Sequence, residues 1–284
     1  MMTSAVKIDS SLKTRIRSAL IFAPLVLLVI YIGGPAFAVM MAAGAGVGAW
    51  EWTRMVTTGQ HPPRRLAHVA AALTGIGTAS AGVFASPFPA FCFLISLCVL
   101  VLAYDVAKKG PKPGLMFFGL VYVGFSMILM IWLRNAHGNA QGLYHMLTLL
   151  FIVWASDCFA YFTGRTLGGP KLAPKISPKK TWSGFFGSSV GAGVVAALVA
   201  CPALLDKFGV HTLGQWGYAG YFALGFVLAM FGQAGDLFIS IYKRRFGIKD
   251  TGTLIPGHGG ILDRIDALLL VALLFGVLAG IVGA

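Results

Sequence analysis

Apolar runs about as long as a bilayer is thick follow one another along almost the whole chain, and they leave few folds open. A membrane-crossing helix needs about 20 consecutive, mostly apolar residues. Runs of that kind lie near residues 17–33, 35–54, 66–84, 87–104, 114–133, 143–163, 184–205, 218–241 and 261–283. A backbone surrounded by lipid has to satisfy its own hydrogen bonds, so such runs fold as helices. Only 11% of the 284 residues are charged and 57% are hydrophobic, whereas soluble domains carry about 25% charged residues. The expectation is therefore an all-α, polytopic integral membrane protein of about nine transmembrane helices. Residues 1–140 read as a transmembrane scaffold, and 141–284 as the catalytic region, with loops at 164–183 and 242–260.

The placement of charge orients these spans. The net charge is +13, and with nine spans 20 of the 22 lysines and arginines fall on one side, leaving only Arg134 and Lys207 on the other. By the positive-inside rule the rich side is cytoplasmic, with the N-terminus inside and the C-terminus outside. A basic chain can also bind nucleic acid. Here the charges are divided among short loops and no soluble domain is long enough to carry them, so attraction to anionic headgroups explains them better.

Several features read as packing or interface. Cys92, Cys98, Cys158 and Cys201 sit in or beside apolar runs, with neither metal-ligand nor disulfide spacing. Gly44, Gly46 and Gly48 mimic a nucleotide-binding run, but no strand precedes them, and Gly44 with Gly48 forms a small-xxx-small pair suited to close helix packing. Gly187 and Gly191 repeat that spacing. Trp50 and Trp52 suit an interfacial belt, and Glu51 between them is either a headgroup-level surface residue or a contributor to a site. Asp105 reads as part of a solvated loop, and five scattered histidines as surface or interfacial groups. Ala36-Phe37-Ala38 resembles a signal-peptidase site, but apolar sequence continues through Gly48 and favours an uncleaved first span.

The chemistry concentrates between Gln233 and Asp266. An apolar helix ends in a basic cluster, a Gly/Pro-rich hairpin follows, and a second apolar helix opens on two aspartates. Asp236, Ser240 and Lys243 are spaced i, i+4, i+7 and share a helix face; Asp263 and Asp266 are i, i+3 on the next helix and also share one. Lys243, Arg244, Arg245, Lys249 and Arg264 surround them. Carboxylates beside apolar helices are costly to hold and are usually working groups. Hard oxygens from two helices suit Mg²⁺, which takes one or two carboxylates and leaves the rest to water and phosphate. Lysines and arginines suit the phosphates. Structural ion pairs at a membrane surface are the plainer alternative.

A second stretch precedes it. Asp157 lies inside an apolar helix, with Tyr161 and Arg165 one and two turns later. The chain then passes through a segment with Pro170, Pro174 and Pro178 and with Lys171, Lys175, Lys179 and Lys180. Proline lowers the entropy lost when a loop orders around a ligand. Ser177, Thr181 and the lysines suit either a polyphosphate or anionic lipid. No P-loop, G-x-S-x-G or H-E-x-x-H motif occurs, so any nucleotide chemistry uses a site built between spans.

The block S-x-x-K-R-R-F-x-x-K-D-x-x-x-x-x-P-G-H-G-G-x-x-D-R-x-D, from Ser240 to Asp266, closely resembles the signature of the phosphatidate cytidylyltransferases, also called CDP-diacylglycerol synthases. So does D-x-x-A-Y-x-x-G-R-x-x-G-x-x-K-L-x-P-x-I-S-P-x-K-T, from Asp157 to Thr181. The match is tight over the last two-fifths of the chain and only topological before it. Ser183 departs from it, at a position where that family often carries Glu or Gln.

The resemblance implies transfer of CMP from CTP to phosphatidic acid, giving CDP-diacylglycerol and pyrophosphate for phospholipid biosynthesis, at the cytoplasmic (inner) membrane. It implies a Mg²⁺-dependent centre, with room for a second cation such as K⁺, and it allows a homodimer. Asp236 and Asp263 are then the expected metal ligands, with Asp266 in or just outside the ligand shell. Lys243, Arg244, Lys249 and Arg264 would neutralise the triphosphate and the departing pyrophosphate. Ser240 would bind a phosphate oxygen or a metal-bound water, and His258 a phosphate or the base. Lys175, Ser177, Lys179 and Thr181 would close over the nucleotide, while Asp157 would join the metal cluster or hold Arg165.

Two rivals remain on the residues alone. A secondary transporter would also carry intramembrane acids, but no inverted repeat is visible and the acids cluster at span ends. A CDP-alcohol phosphatidyltransferase would need a D-G-x-x-A-R run, which is absent.

Overall fold

The computed structural model describes residues 10–57, 64–84, 86–110, 112–135, 138–209, 216–255 and 259–282. Each apolar run has become a helix: α1 Ser10–Ile32, α2 Gly34–Val56, α3 Arg64–Ala79, α4 Pro87–Ala107, α5 Pro113–Asn135, α6 Asn139–Thr166, α7 Trp182–Val199, α9 Gly217–Arg245 and α10 Leu262–Val282. A short α8, Pro202–Phe208, follows α7. The seventh run was expected to stay helical to residue 205. It ends six residues earlier, at Val199, because Pro202 cannot continue a helix and instead opens α8.

Six of the described helices, α4, α5, α6, α7, α9 and α10, are long and apolar enough to cross a membrane. The expectation of about nine spans exceeds that number. α3 has only 16 residues, the apolar part of α1 is Leu20–Ile32, and α2 closes on a Trp-Glu-Trp-Thr-Arg stretch.

Small residues set the packing. α7 lies against both α6 and α9, and α10 runs between α9 and α5, joining the two halves of the chain. A Cβ at Gly191 would run into the Phe159 ring, and one at Gly187 into Thr163, so the spacing read from the sequence brings α7 onto α6. In the N-terminal half, Gly48 admits Val123 of α5 and Gly46 admits the Ala71 carbonyl of α3.

Arg134 ends α5 fully buried, with no carboxylate beside it among the described residues. Its guanidinium donates to the carbonyls of Ile30 (2.6 Å) and Tyr31 (2.9 Å) and to Asn139 Oδ1 (2.6 Å). It thereby satisfies orphan carbonyls at the negative end of α1 and pins the turn between α5 and α6.

Several expectations change. The segment after α6 is a small hairpin rather than a loop: β1, Lys171–Ala173, pairs antiparallel with β2, Ser177–Thr181, with Lys171 opposite Thr181 and Ala173 opposite Ser177. Trp52 is fully buried and donates its indole N–H to the Leu115 carbonyl (3.1 Å), so it belongs to the core and not to an interfacial belt. Asp105 is buried beneath the turn at Gly110, and His145 is buried between the rings of Tyr144 and Phe275. Cys98 alone among the four free cysteines is buried; Cys92 and Cys158 are exposed on helix faces.

Candidate active site

The C-terminal half of α9 carries Asp236, Ser240 and Lys243 on one face, as their spacing requires. The Ser240 hydroxyl donates to Asp236 Oδ1 at 3.2 Å. Lys243, nearly buried, reaches Asp263 Oδ1 at 2.8 Å. Asp263 stands in the first turn of α10, where a negative charge complements the helix dipole. Its second oxygen, Oδ2, accepts from Thr251 N (2.8 Å), Gly260 N (3.0 Å) and faces Thr251 Oγ1 (3.1 Å). Gly259 makes this approach with φ +89°, and a Cβ there would lie 3.0 Å from Asp263 Oδ2. Asp263 is thus enclosed by donors and organises the turn between α9 and α10.

The other aspartates form a separate group. Asp236 Oδ2 pairs with Lys180 Nζ at 2.7 Å, and that ammonium also approaches the Gln233 carbonyl at 3.5 Å. Asp266 accepts from Ala267 N at 2.9 Å and lies within electrostatic reach of Asp236, Lys243 and Lys180. Asp157, on α6, is within reach of Asp236, Lys180 and Arg264. α9 and α10 meet closely at Gly235, where a Cβ would sit 2.7 Å from the Asp266 carbonyl. Lys180 of the hairpin thus pairs with Asp236 of α9, while Asp266 lies on α10, which packs against α9.

The hairpin places its residues unequally. Thr181 is buried as the N-cap of α7, accepting from Gly184 N at 3.1 Å. Ser183, at the position that departs from the family pattern, shares a bond with Thr181 Oγ1 (3.0 Å) and donates to the Gly168 carbonyl. Lys175 and Lys179 are exposed, and Ser177 is half-buried. Strand side chains alternate in direction, so Lys180 rather than Lys179 turns toward the carboxylates. Arg244 anchors the hairpin tip by donating to the Ile176 carbonyl (3.2 Å), and also bonds the Ile248 carbonyl (3.3 Å). Lys249 and Arg264 are exposed at the rim. Arg165 donates to the Tyr161 hydroxyl at 2.5 Å, and Asp157 is exposed on α6. His258 lies outside the described residues.

Two residues that the sequence left open, Lys180 among the hairpin lysines and Glu51 between surface and site, take defined places. Lys180 could not be told from Lys171, Lys175 and Lys179 in the sequence, because the strand that turns it away from Lys179 was not legible there. Glu51, on α2, is fully buried and accepts from Ile261 N (3.0 Å), Leu262 N (2.8 Å) and Thr251 Oγ1 (2.9 Å). Its only signal was a carboxylate set between two tryptophans.

Among the described residues no three His, Cys, Asp or Glu side chains form a ready-made metal cage. Asp236 and Asp266 nonetheless present hard oxygens from facing helices, a donor set of the size Mg²⁺ takes when water and phosphate complete its shell. Asp263, filled by its own donors, fits that role less well.

The sequence profile of the Cytidylyltransferase family matches residues 13–282. A phosphatidate cytidylyltransferase of Brucella abortus biovar 1 (strain 9-941) is 36% identical over 270 residues, covering 93% of this chain and 92% of its own. One from Rickettsia bellii (strain RML369-C) is 38% identical over 185 residues, 65% of this chain and 77% of its own. One from Rickettsia typhi (strain ATCC VR-144 / Wilmington) is 40% identical over 158 residues, 55% of this chain and 66% of its own.

Proposed function

The chain belongs to the cytidylyltransferase family, and from that membership we propose that it is an enzyme transferring CMP from CTP to phosphatidic acid, yielding CDP-diacylglycerol and pyrophosphate. The observation that carries the reading is the pair of ion pairs on one face of α9, Asp236 with Lys180 of the hairpin and Lys243 with Asp263 of α10. Such a cluster of fixed charges, next to apolar helices, suits phosphate chemistry on a lipid.

In the transfer, a phosphate oxygen of phosphatidate attacks the α-phosphorus of CTP. The bond from that phosphorus to the bridging β-oxygen breaks, and pyrophosphate leaves with the electron pair. The attacking oxygen is already anionic at neutral pH, so no strong base is required. The difficulty is to bring two anions into line, which calls for fixed positive charge and positioning. Lys180 and Lys243 supply charge nearest the carboxylates, and Lys249 and Arg264 supply it at the rim. Lys175, Ser177 and Lys179 meet the triphosphate from the hairpin, which Arg244 holds against α9. Mg²⁺, with a second cation such as K⁺, would neutralise phosphate charge here, held by Asp236 and Asp266 with Asp157 beside them. Asp263 would join them only by giving up donors, and Ser240 keeps Asp236 in place. His258 completes the expected set as a phosphate or base contact.

We further propose nine crossings with the N-terminus and both loops cytoplasmic, the C-terminus outside, and the protein in the cytoplasmic (inner) membrane as a homodimer. Residues 141–284 carry the reacting groups and 1–140 the scaffold.

The test uses purified protein in detergent with phosphatidic acid, labelled CTP and Mg²⁺. Lipid-linked CMP is expected, and it should vanish with a chelator and in Asp236→Asn. Absence of product under conditions in which a Brucella relative is active would contradict the proposal.

A further inference from the structure

Glu51 reaches from the N-terminal half into the turn that opens α10. A fully buried carboxylate is costly unless its oxygens are hydrogen-bonded, and here they are. Oε1 takes the amide of Ile261, and Oε2 takes the amide of Leu262 and the hydroxyl of Thr251. The two amides sit at the start of α10, where N–H groups have no partner within the helix and where negative charge is favoured. Asp263 does not cap them, because its carboxylate folds back to the amides of Thr251 and Gly260. Two carboxylates thus divide the amides of this turn, one from each half of the chain.

Thr251 links them. Its hydroxyl lies 2.9 Å from Glu51 Oε2 and 3.1 Å from Asp263 Oδ2, and with one proton it donates to one carboxylate at a time. The turn also makes room for Glu51. A Cβ at Gly252 would lie 2.5 Å from Glu51 Oε1, and one at Gly260 2.5 Å from Oε2.

We propose that Glu51 is a positioning residue for the CMP transfer described above, on which this inference rests. From α2 it fixes Thr251 and the amides of Ile261 and Leu262, and so holds the Lys243–Asp263 pair and Asp266 in place against Asp236. The N-terminal half is then part of the catalytic apparatus and not only its scaffold.

The test combines steady-state kinetics with amide hydrogen exchange on the full-length protein in detergent, for wild type, Glu51→Ala, Glu51→Gln and Thr251→Val. In Glu51→Ala, exchange at the amides of Thr251 and residues 260–262 should accelerate by about tenfold or more, as for lost charge-assisted hydrogen bonds. Peptides from α5 and α6 should stay as in wild type. The kcat should fall about 100-fold, the scale of a small misplacement of reacting groups, with little change in KM for CTP. Glu51→Gln should fall between, since one oxygen still accepts while its amide group faces a donor. Thr251→Val, which keeps both backbone contacts of Glu51, should cost less than Glu51→Ala.

Wild-type exchange and kcat in Glu51→Ala would overturn the proposal. So would loss of protection across all helices, which would make Glu51 a support of the fold alone. If wild type makes no CDP-diacylglycerol, the proposed reaction fails by itself. The exchange data still decide then whether Glu51 fixes the turn.

Discussion

Asp263 has one oxygen on the Lys243 ammonium and the other on two backbone amides, so it has no spare face for a donor. In Asp263→Asn the new amide group must point its N–H bonds at one of those donors. CTP turnover should drop about 100- to 1,000-fold, the range for losing one preorganised charge interaction, as measured with labelled CTP. Lys243→Met leaves Asp263 buried without its ion pair and should cost about 3 kcal/mol, read as a lower melting temperature in detergent. Lys180 and Lys179 offer a sharper comparison. Lys180→Met should reduce kcat about 100-fold, whereas Lys179→Met, on the exposed face of β2, should chiefly raise KM for CTP. The face shared by Asp236, Ser240 and Lys243 was legible from helical spacing alone. For Glu51 the sequence left surface and site equally open, because its partners lie about two hundred residues away and nothing local marks them.

At the scale of elements, the runs announced the helices because lipid permits little else, and the i, i+4 glycines of α7 announced its contact with α6. Gly191→Leu would drive a side chain into the Phe159 ring and should part the two helices, giving poor yields of monodisperse protein on size exclusion. The hairpin after α6 stayed hidden, since strands of 3 and 5 residues among three prolines carry too short a pattern to read. Its closing residue does two jobs of placement: Thr181 pairs with Lys171 across the sheet and caps α7 through Gly184 N. Thr181→Ala should cost about 1 kcal/mol of stability and also loosen Lys180, so activity should fall further than the melting temperature suggests.

Across the whole molecule, α10 touches α9, α5 and α2, and the residues at its start are held by acids from both halves of the chain. Composition pointed to the membrane and charge placement to an expected orientation, but neither links α2 to the turn that opens α10. That depends on packing, which no local pattern encodes. If the basic side faces the cytoplasm, Lys175→Cys in a background free of native cysteines should react with an impermeant thiol reagent only in inside-out vesicles. The central claim is the transfer of CMP, and the most direct measurement follows each phosphate of CTP separately with phosphatidic acid present. Label in the α-position should enter the lipid fraction while γ-label appears in pyrophosphate, in equal amounts. Release of γ-label with no α-label in lipid, or no turnover of either, would contradict it.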